Sequence, residues 1–195
     1  MRGILFKEDL FAKVVLNSKT KTRRVIRSIP ADFILQGQLG RAAKFYRGDD
    51  IRQVKSLYKV GDRLYLKEPY CAFDAEYKKP VLIILGEEKI IYKYDTGPHP
   101  EGVVWKPKLF MPEKYARYFI EITDLKVEHI QDISMADIIA EGFELSMKDM
   151  YLDAMNQKIK SKLQFIKKWN EINPEYSWDN NPWVWIYTFK LIDGP

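Results

Sequence analysis

The chain has 195 residues, of which 46% are hydrophobic and 14% aromatic, so it can bury a core and is not a disordered chain. Its net charge of +5 favours anionic partners without identifying one. A single cysteine excludes an internal disulfide framework, and the two distant histidines have no metal-ligand spacing, so we expect neither a metal nor a cofactor.

Charged residues near the start of the chain bear on where in the cell the protein is found. Lys7, Glu8 and Asp9 interrupt any early apolar run, which argues against a secretory signal. No uncharged apolar stretch reaches the roughly 18 residues that span a bilayer. We therefore expect a cytoplasmic protein without a membrane partner, whose oligomeric state the sequence leaves open.

Much of the chain shows the alternating pattern of strands, and few segments have helical spacing. The predicted strands lie at residues 3–6, 63–70, 81–85, 89–94, 119–130 and 181–189. Leu10, Phe11 and Val14 recur at helical spacing and predict a short helix over 7–16. A longer helix is predicted over 148–172, where one apolar stripe is expected to pack in the core. That stripe consists of Ile159, Leu163, Ile166 and Trp169.

Residues 28–58 show no clear hydrophobic period, and Gly37, Gly40 and Gly48 interrupt them. We predict an irregular basic insertion here, within a single domain over 1–195. The elements together predict an α+β protein that is mainly β. The number of short strands, with one near the C-terminus, favours a small closed or half-closed barrel.

The clearest helix start is Ser134, which is followed three residues later by Asp137 in the manner of a capping box. Gly142 then ends the helix, so that Glu141 is its last side chain. A carboxylate at a helix C-terminus faces the unfavourable end of the dipole, which tends to raise its pKa. Glu141 therefore needs a cationic partner or has a function. A simply exposed glutamate is the alternative.

Residues 16–25, LNSKTKTRRV, concentrate hydrogen-bond donors between two apolar stretches. The donors are Lys19, Thr20, Lys21, Thr22, Arg23 and Arg24. Such a run suits an oxyanion, a phosphate or a nucleobase. The alternative is solvated surface, which is what most short basic runs are.

Several segments, taken in order, match those of a known family. Its signature, Gly-x-Lys-x-x-x-x-Arg, falls on residues 17–24, with Asn17 in place of the glycine. The other segments are residues 61–68, 105–112, 116–117, 131–142, 165–169 and 181–185. They resemble the ASCH (activating signal cointegrator homology) superfamily, a PUA-like β-barrel group linked to RNA, and especially its phage and prophage members. Because Asn tolerates positive φ better than most residues, we expect the turn at Asn17 to survive.

The resemblance implies a PUA-like barrel with short helices and loop insertions, and a cleft that binds RNA or a modified nucleoside. Some small bacterial members remove the acyl group from N4-acetylcytidine with a Lys, a Thr and a Glu, which correspond to Lys19, Thr22 and Glu141. Arg24 matches the signature arginine. Another member acts as a ribonuclease, and a phage accessory protein without a small ligand is a further alternative.

Hydrolysis of an N4-acylated cytidine would assign a role to each of these residues. Thr22 would supply the hydroxyl or hold the attacking water, and Glu141 would orient Lys19 or shuttle a proton. Lys19 would be the base only if its pKa fell toward neutrality. Burial and neighbouring cations lower a lysine pKa and a paired carboxylate raises it, and the sequence leaves that balance open.

Binding alone requires no shifted pKa and predicts a strong dependence of affinity on salt. The phosphates would be contacted by Lys19, Lys21, Arg23 and Arg24. Tyr70 or Trp105 would stack on a base. We prefer this interpretation, RNA or nucleoside binding, and keep the amidohydrolase as the alternative.

Overall fold

The computed structural model describes residues 1–74, 79–80, 88–95, 97–143 and 154–194. They form a mixed α+β structure of mainly strands with few helices, which confirms the predicted fold class at this level. The helices are α1 (Glu8–Val15), α2 (Met135–Ala140) and α3 (Ala154–Ile172). The strands are β1 (Arg2–Leu5), β2 (Lys21–Val25), β3 (Ile34–Leu39), β4 (Ala42–Arg47), β5 (Asp50–Lys55), β6 (Arg63–Lys67), β7 (Tyr70–Asp74), β8 (Lys79–Pro80), β9 (Glu88–Tyr92), β10 (Phe119–His129) and β11 (Trp183–Ile192).

The chain divides into two compact units, and the single domain over 1–195 stays a prediction. Unit 1 comprises Met1–Val15, Arg63–Ile120 and Leu191–Pro195. Unit 2 comprises Leu16–Asp62 and Glu121–Lys190. Neither unit is one continuous stretch, and β10 and β11 contribute residues to both.

Five strands belong to one sheet, in the order β1-β6-β10-β11-β2. A barrel requires the two outermost strands of such an order to pair with each other. Here β1 and β2 are the outermost strands and the described strands form an open sheet, so the predicted barrel is not confirmed. The alternation in the sequence identifies strands, but it does not show which strands become neighbours.

Unit 1 contains the parallel pair of β1 and β6 and the antiparallel sheet β8-β7-β9. α1 buries one apolar face, as its helical spacing predicted. The buried carboxylate of Glu68 accepts hydrogen bonds of 2.8 Å from Nε and Nη2 of Arg117. The guanidinium carbon of Arg117 also lies 4.0 Å from the centre of the Tyr92 ring. The hydrogen bonds pair the buried charge of Glu68, and the ring of Tyr92 contacts the guanidinium that pairs with it.

In unit 2, the region expected to be irregular contains the antiparallel meander β3-β4-β5. Gly40 and Gly48 each begin a two-residue loop between its strands, with φ of 55° and 57°. A glycine with positive φ at the first loop position is typical of tight hairpin turns. Gly37 lies where the register of β3 shifts against β4. The glycines that suggested irregularity are thus the residues that make the hairpins possible.

The prediction of a helix over 148–172 coincides with α3, although residues 148–153 lie outside the described residues. Its expected apolar stripe is only partly buried, because Ile159 and Leu163 are exposed. The buried face instead runs through Ser161, Phe165 and Trp169, which are spaced by four residues. Spacing by three and four predicted the helix correctly but not which of its faces would be covered.

Candidate functional site

The basic segment enters β2 through a turn and a short extended stretch that local contacts hold in place. Asn17 has a φ of 56°, which confirms the turn expected at this asparagine. The backbone of Thr20 then donates to the carbonyl of Ala140 at 2.8 Å and accepts from Phe189 at 2.9 Å. These bonds bring the start of β2 to the C-terminal end of α2, a site formed wholly within unit 2.

Helix α2 begins and ends where the sequence predicted. The Ser134 hydroxyl accepts a hydrogen bond from the backbone of Asp137 at 3.1 Å, and Gly142 has a φ of 87°. The carboxylate of Asp137 does not complete a capping box but binds Lys21 and Arg23. Because Asp137 and Glu141 are four residues apart, both side chains lie on one face of the helix.

Glu141 has the cationic partner that its position requires. The Lys19 ammonium donates to Oε2 of Glu141, to the Glu141 carbonyl at 3.2 Å and to the Lys21 carbonyl at 2.7 Å. These acceptors match the three N–H groups of an ammonium. The Lys19 side chain is 1% exposed and that of Glu141 is 6% exposed. The two residues, 122 positions apart in the chain, form a buried ion pair.

Arg23 is surrounded by carboxylates. Its Nη1 donates to Glu141 at 3.1 Å, and its Nη2 donates to Asp137 and Glu128 at 2.7 Å each. Its Nε donates to Glu128 at 3.1 Å. The side chain is 1% exposed, so these contacts hold the guanidinium inside the protein. Its expected role as a ligand contact remains a prediction that this arrangement does not favour.

The charges around Lys19 act on its proton affinity in opposite directions. Burial lowers the pKa of Lys19, and the nearby charges of Arg24 and Arg23 lower it further, whereas Glu141 raises it. The net effect is a pKa below the ordinary lysine value of 10.5. The balance that the sequence left open is therefore decided by burial.

The opposite face of β2 carries Thr22 and Arg24, since successive side chains of a strand alternate. Thr22 is buried and lies directly across from Tyr187 of β11. Arg24 is half-buried, and its charge lies near Tyr58, Glu141 and Tyr187. Burial lowers the pKa of its guanidinium, which the neighbouring phenol and carboxyl groups oppose. An arginine in such a setting keeps its charge at neutral pH.

A hydrogen-bonded chain links this face of β2 to the end of the meander. The Tyr187 hydroxyl lies 2.6 Å from the Ser56 hydroxyl, which donates to the Tyr58 carbonyl at 2.7 Å. The rings of Tyr58 and Tyr187 meet edge to face with centroids 5.4 Å apart. The backbone of Ser56 donates to the carbonyl of Arg41 at 2.7 Å. The residues beside Arg24 are therefore hydrogen-bonded to Ser56, which follows β5, and through it to Arg41, which precedes β4.

Tyr70 and Trp105, the aromatic residues expected to stack on a base, belong to unit 1. Tyr70 is buried, and its ring centroid lies 5.3 Å from that of Tyr115. Trp105 is half-buried and meets His99 edge to face at 4.8 Å. Their role as stacking residues stays a prediction.

Sequence reasoning did not identify Glu128 as a partner of Arg23, nor Ser56, Tyr58 and Tyr187 as neighbours of Arg24. The four-residue spacing of Asp137 and Glu141 was a usable signal, because it puts two carboxylates on one helix face. The tyrosines gave none, since a buried aromatic residue is ordinary core packing.

Within the described residues, no group of three or more His, Cys, Asp and Glu side chains is arranged to hold a metal ion. In the same part of the chain, no helix combines the length and apolarity needed to cross a membrane. The carboxylates that do gather, those of Glu128, Asp137 and Glu141, gather around the guanidinium of Arg23.

Comparison with known proteins gives one distant structural likeness to describe. No protein-family model matches the chain, and no curated protein matches it. The chain is similar to a solved structure described as protein EF3133 from Enterococcus faecalis V583, family-model DUF984. The two are 11% identical with a TM-score of 0.44, over 95% of this chain and 68% of that chain. A likeness this distant carries no argument about function.

Proposed function

We propose that this chain is an ASCH-type protein with a PUA-like fold, and that it binds RNA or a modified nucleoside beside Arg24. The observation that carries the proposal is the difference between the two faces of β2. On one face, Arg23 is enclosed by protein carboxylates. On the other, Arg24 is half-buried beside two tyrosines, with Thr22 on the same face.

Arg24 suits a ligand that carries a phosphate or a base carbonyl. A planar guanidinium can donate two parallel hydrogen bonds to such groups. Partial burial removes water from the cation, which strengthens its attraction to an anion. The Thr22 hydroxyl would add a donor and acceptor of the kind that distinguishes one nucleobase edge from another.

The buried ion pairs would act by positioning this face. Lys19 binds the carbonyls of Lys21 and Glu141, and Arg23 ties β2 to α2 and β10. These contacts fix the backbone from which Arg24 projects. A binding group held by a rigid surrounding shell loses less conformational entropy when the ligand arrives.

Titration of a labelled RNA oligonucleotide and of N4-acetylcytidine tests the proposal. We expect Arg24→Ala to weaken binding by about tenfold to a hundredfold, as the loss of a charged hydrogen bond does. Arg27→Ala is the matched control, because Arg27 is an exposed arginine just beyond the end of β2. Equal affinities for the two variants would contradict the proposed site.

Hydrolysis of an N4-acylated cytidine is the second candidate, favoured by the lowered pKa of Lys19. In this reaction water adds to the acyl carbonyl carbon and the bond from that carbon to N4 breaks. The amine leaves with a proton and the acyl group leaves as a carboxylate. A neutral Lys19 would accept the proton of the attacking water, Glu141 would share it, and Thr22 would orient the water.

A chromatographic assay with N4-acetylcytidine, run from about pH 6 to about pH 9, separates turnover from binding. We expect Lys19→Met and Thr22→Val to abolish any deacylation, with circular dichroism confirming that each variant is folded. Deacylation that persists in folded Lys19→Met would exclude the lysine as base. Wild-type protein that binds N4-acetylcytidine without converting it would leave binding as the function.

A further inference from the structure

The meander presents one face of its three strands to solvent. Ile34, Tyr46 and Ile51 lie directly opposite one another across β3, β4 and β5. Tyr46 is 37% exposed and Ile51 59% exposed. The neighbouring rows contribute exposed Lys44 and Lys55. We call this set the outer face: Ile34, Lys44, Tyr46, Ile51, Gln53 and Lys55.

The inner face of the same strands is filled by unit 2 itself. Phe45 is completely buried and meets Trp183 edge to face with centroids 5.1 Å apart. The guanidinium carbons of Arg47 and Arg52 lie 4.7 Å and 4.6 Å from the centre of the Phe33 ring. The arginines of β4 and β5 are thus used in packing, whereas the lysines of these strands point to solvent.

The charged side chains of the outer face, those of Lys44 and Lys55, are both positive. The acid within these strands is Asp50, which is ion-paired with Arg52 at 2.9 Å. Among the described residues, neither Lys44 nor Lys55 has a carboxylate within ion-pair distance. An exposed aromatic ring between apolar side chains, flanked by lysines, can stack on a base while the cations meet phosphates.

The outer face is connected along the chain to the residues beside Arg24. Lys55 is the last residue of β5, and Ser56 follows it directly. Ser56 contacts Tyr187 through its hydroxyl and Arg41 through its backbone. Lys55 is thus joined through Ser56 to the residues beside Arg24, and Arg41 leads along β4 to Lys44 and then to Tyr46.

We propose that the outer face binds single-stranded RNA that continues from the nucleotide held beside Arg24. Tyr46 stacks on an unpaired base, and Lys44 and Lys55 contact the phosphates. The ligand class is then a polynucleotide and not a free nucleoside, an inference that rests on the proposed function. A stacked base must be unpaired to reach the ring, which favours a single strand over a duplex.

Fluorescence anisotropy with a labelled single-stranded RNA of about 12 nucleotides tests this inference. We expect Tyr46→Ala to weaken binding by about tenfold, and Tyr46→Phe, which keeps the ring, to bind like the wild type. The double variant Lys44→Ala/Lys55→Ala should reduce the slope of log affinity against log salt by about 1.4. The control, Lys158→Ala/Lys167→Ala, removes two exposed lysines of α3 in the same unit and should keep the wild-type slope.

Titration of N4-acetylcytidine in parallel distinguishes failure of the inference from failure of the proposed function. If Arg24→Ala weakens RNA binding and the outer-face variants do not, the inference alone is overturned. The inference is also overturned if the wild type binds the nucleoside as tightly as the RNA, or binds a duplex as tightly as the single strand. Wild-type protein that binds neither the nucleoside nor the RNA overturns both proposals. Light scattering that shows a dimer dissociated by Tyr46→Ala, with RNA affinity unchanged, would assign the outer face to a second copy of this chain.

Discussion

Arg23 and Arg24 are neighbours in the chain with the same side chain, yet the fold treats them differently. Arg23 points toward α2 and β10 and is held by Glu128, Asp137 and Glu141. Arg24 points to the other side of β2, where its charge lies near Tyr58 and Tyr187 and still senses Glu141. The difference follows from the two-residue period of a strand, because consecutive side chains must lie on opposite faces.

Under the proposed function, this contrast separates the arginine that holds the site, Arg23, from the arginine that binds the ligand, Arg24. A guanidinium enclosed by carboxylates adds rigidity but has little surface for a ligand. A half-buried one can still exchange water for a phosphate or a base. A basic run in a strand therefore divides between the two faces of that strand, and its members meet different partners.

Removing Glu141 should have the largest effect, because it leaves the buried Lys19 without its carboxylate partner and takes one of three carboxylates from Arg23. We expect Glu141→Ala to lower the free energy of unfolding by about 3–5 kcal/mol, as breaking a buried ion pair does. Chemical denaturation measures this, with the exposed Glu175 changed to Ala as the control. A loss no larger than that of Glu175→Ala would mean that the buried pair does not hold the site.

Exchanging each arginine for methionine tests the contrast directly. Arg23→Met should lower the free energy of unfolding by about 3 kcal/mol, because several carboxylates lose a buried partner. Arg24→Met should destabilise the fold much less and instead weaken ligand binding. Denaturation and RNA titration of both variants measure the two effects. Similar stability losses for the pair would remove the distinction between a positioning and a binding arginine.

The stability that Asp137 contributes on the Arg23 side of β2 should depend on pH. Although burial acts to raise its pKa, hydrogen bonds from Lys21 and Arg23 lower it below the ordinary value of 3.8. Such a carboxylate contributes stability above its unfolded pKa and loses it as the pH falls through the native value. Asp137→Asn should therefore cost about 1–2 kcal/mol at neutral pH.

The gap between wild type and Asp137→Asn should close as the pH falls below 3.8. Thermal unfolding across a pH series measures this gap. A gap that stays constant down to the acid limit would show that the charge of Asp137 is not what stabilises the fold.

The smallest effect is expected from Ser134→Ala, which removes the cap of α2. Loss of such a cap costs about 1 kcal/mol. Ser134→Thr, which keeps the hydroxyl, should recover most of that stability in the same thermal unfolding experiment. Because the Thr20 amide donates to the Ala140 carbonyl at the end of α2, the Ala variant should also speed hydrogen exchange at the Thr20 amide.

Local signals predicted much of the fold. The helical spacing of Leu10, Phe11 and Val14 predicted α1, and Ser134 and Gly142 marked the ends of α2. The meander is not predicted, because glycines without a clear hydrophobic period are also typical of irregular segments. Gly40 and Gly48 each stand first in a two-residue loop, a signal that was present in the sequence.

For the candidate site, the sequence established which chemistry was available: a run of cations before and within a strand, and a glutamate at a helix end. It also determined the turn at Asn17, because the φ preference of a residue is a property of that residue and its nearest neighbours. Only the tertiary structure decided that Lys19 meets Glu141 across 122 positions and that burial outweighs this pairing in setting the lysine pKa. Pairing between distant residues, desolvation and the face to which a strand turns all depend on how elements pack, and no local pattern of residues determines that packing.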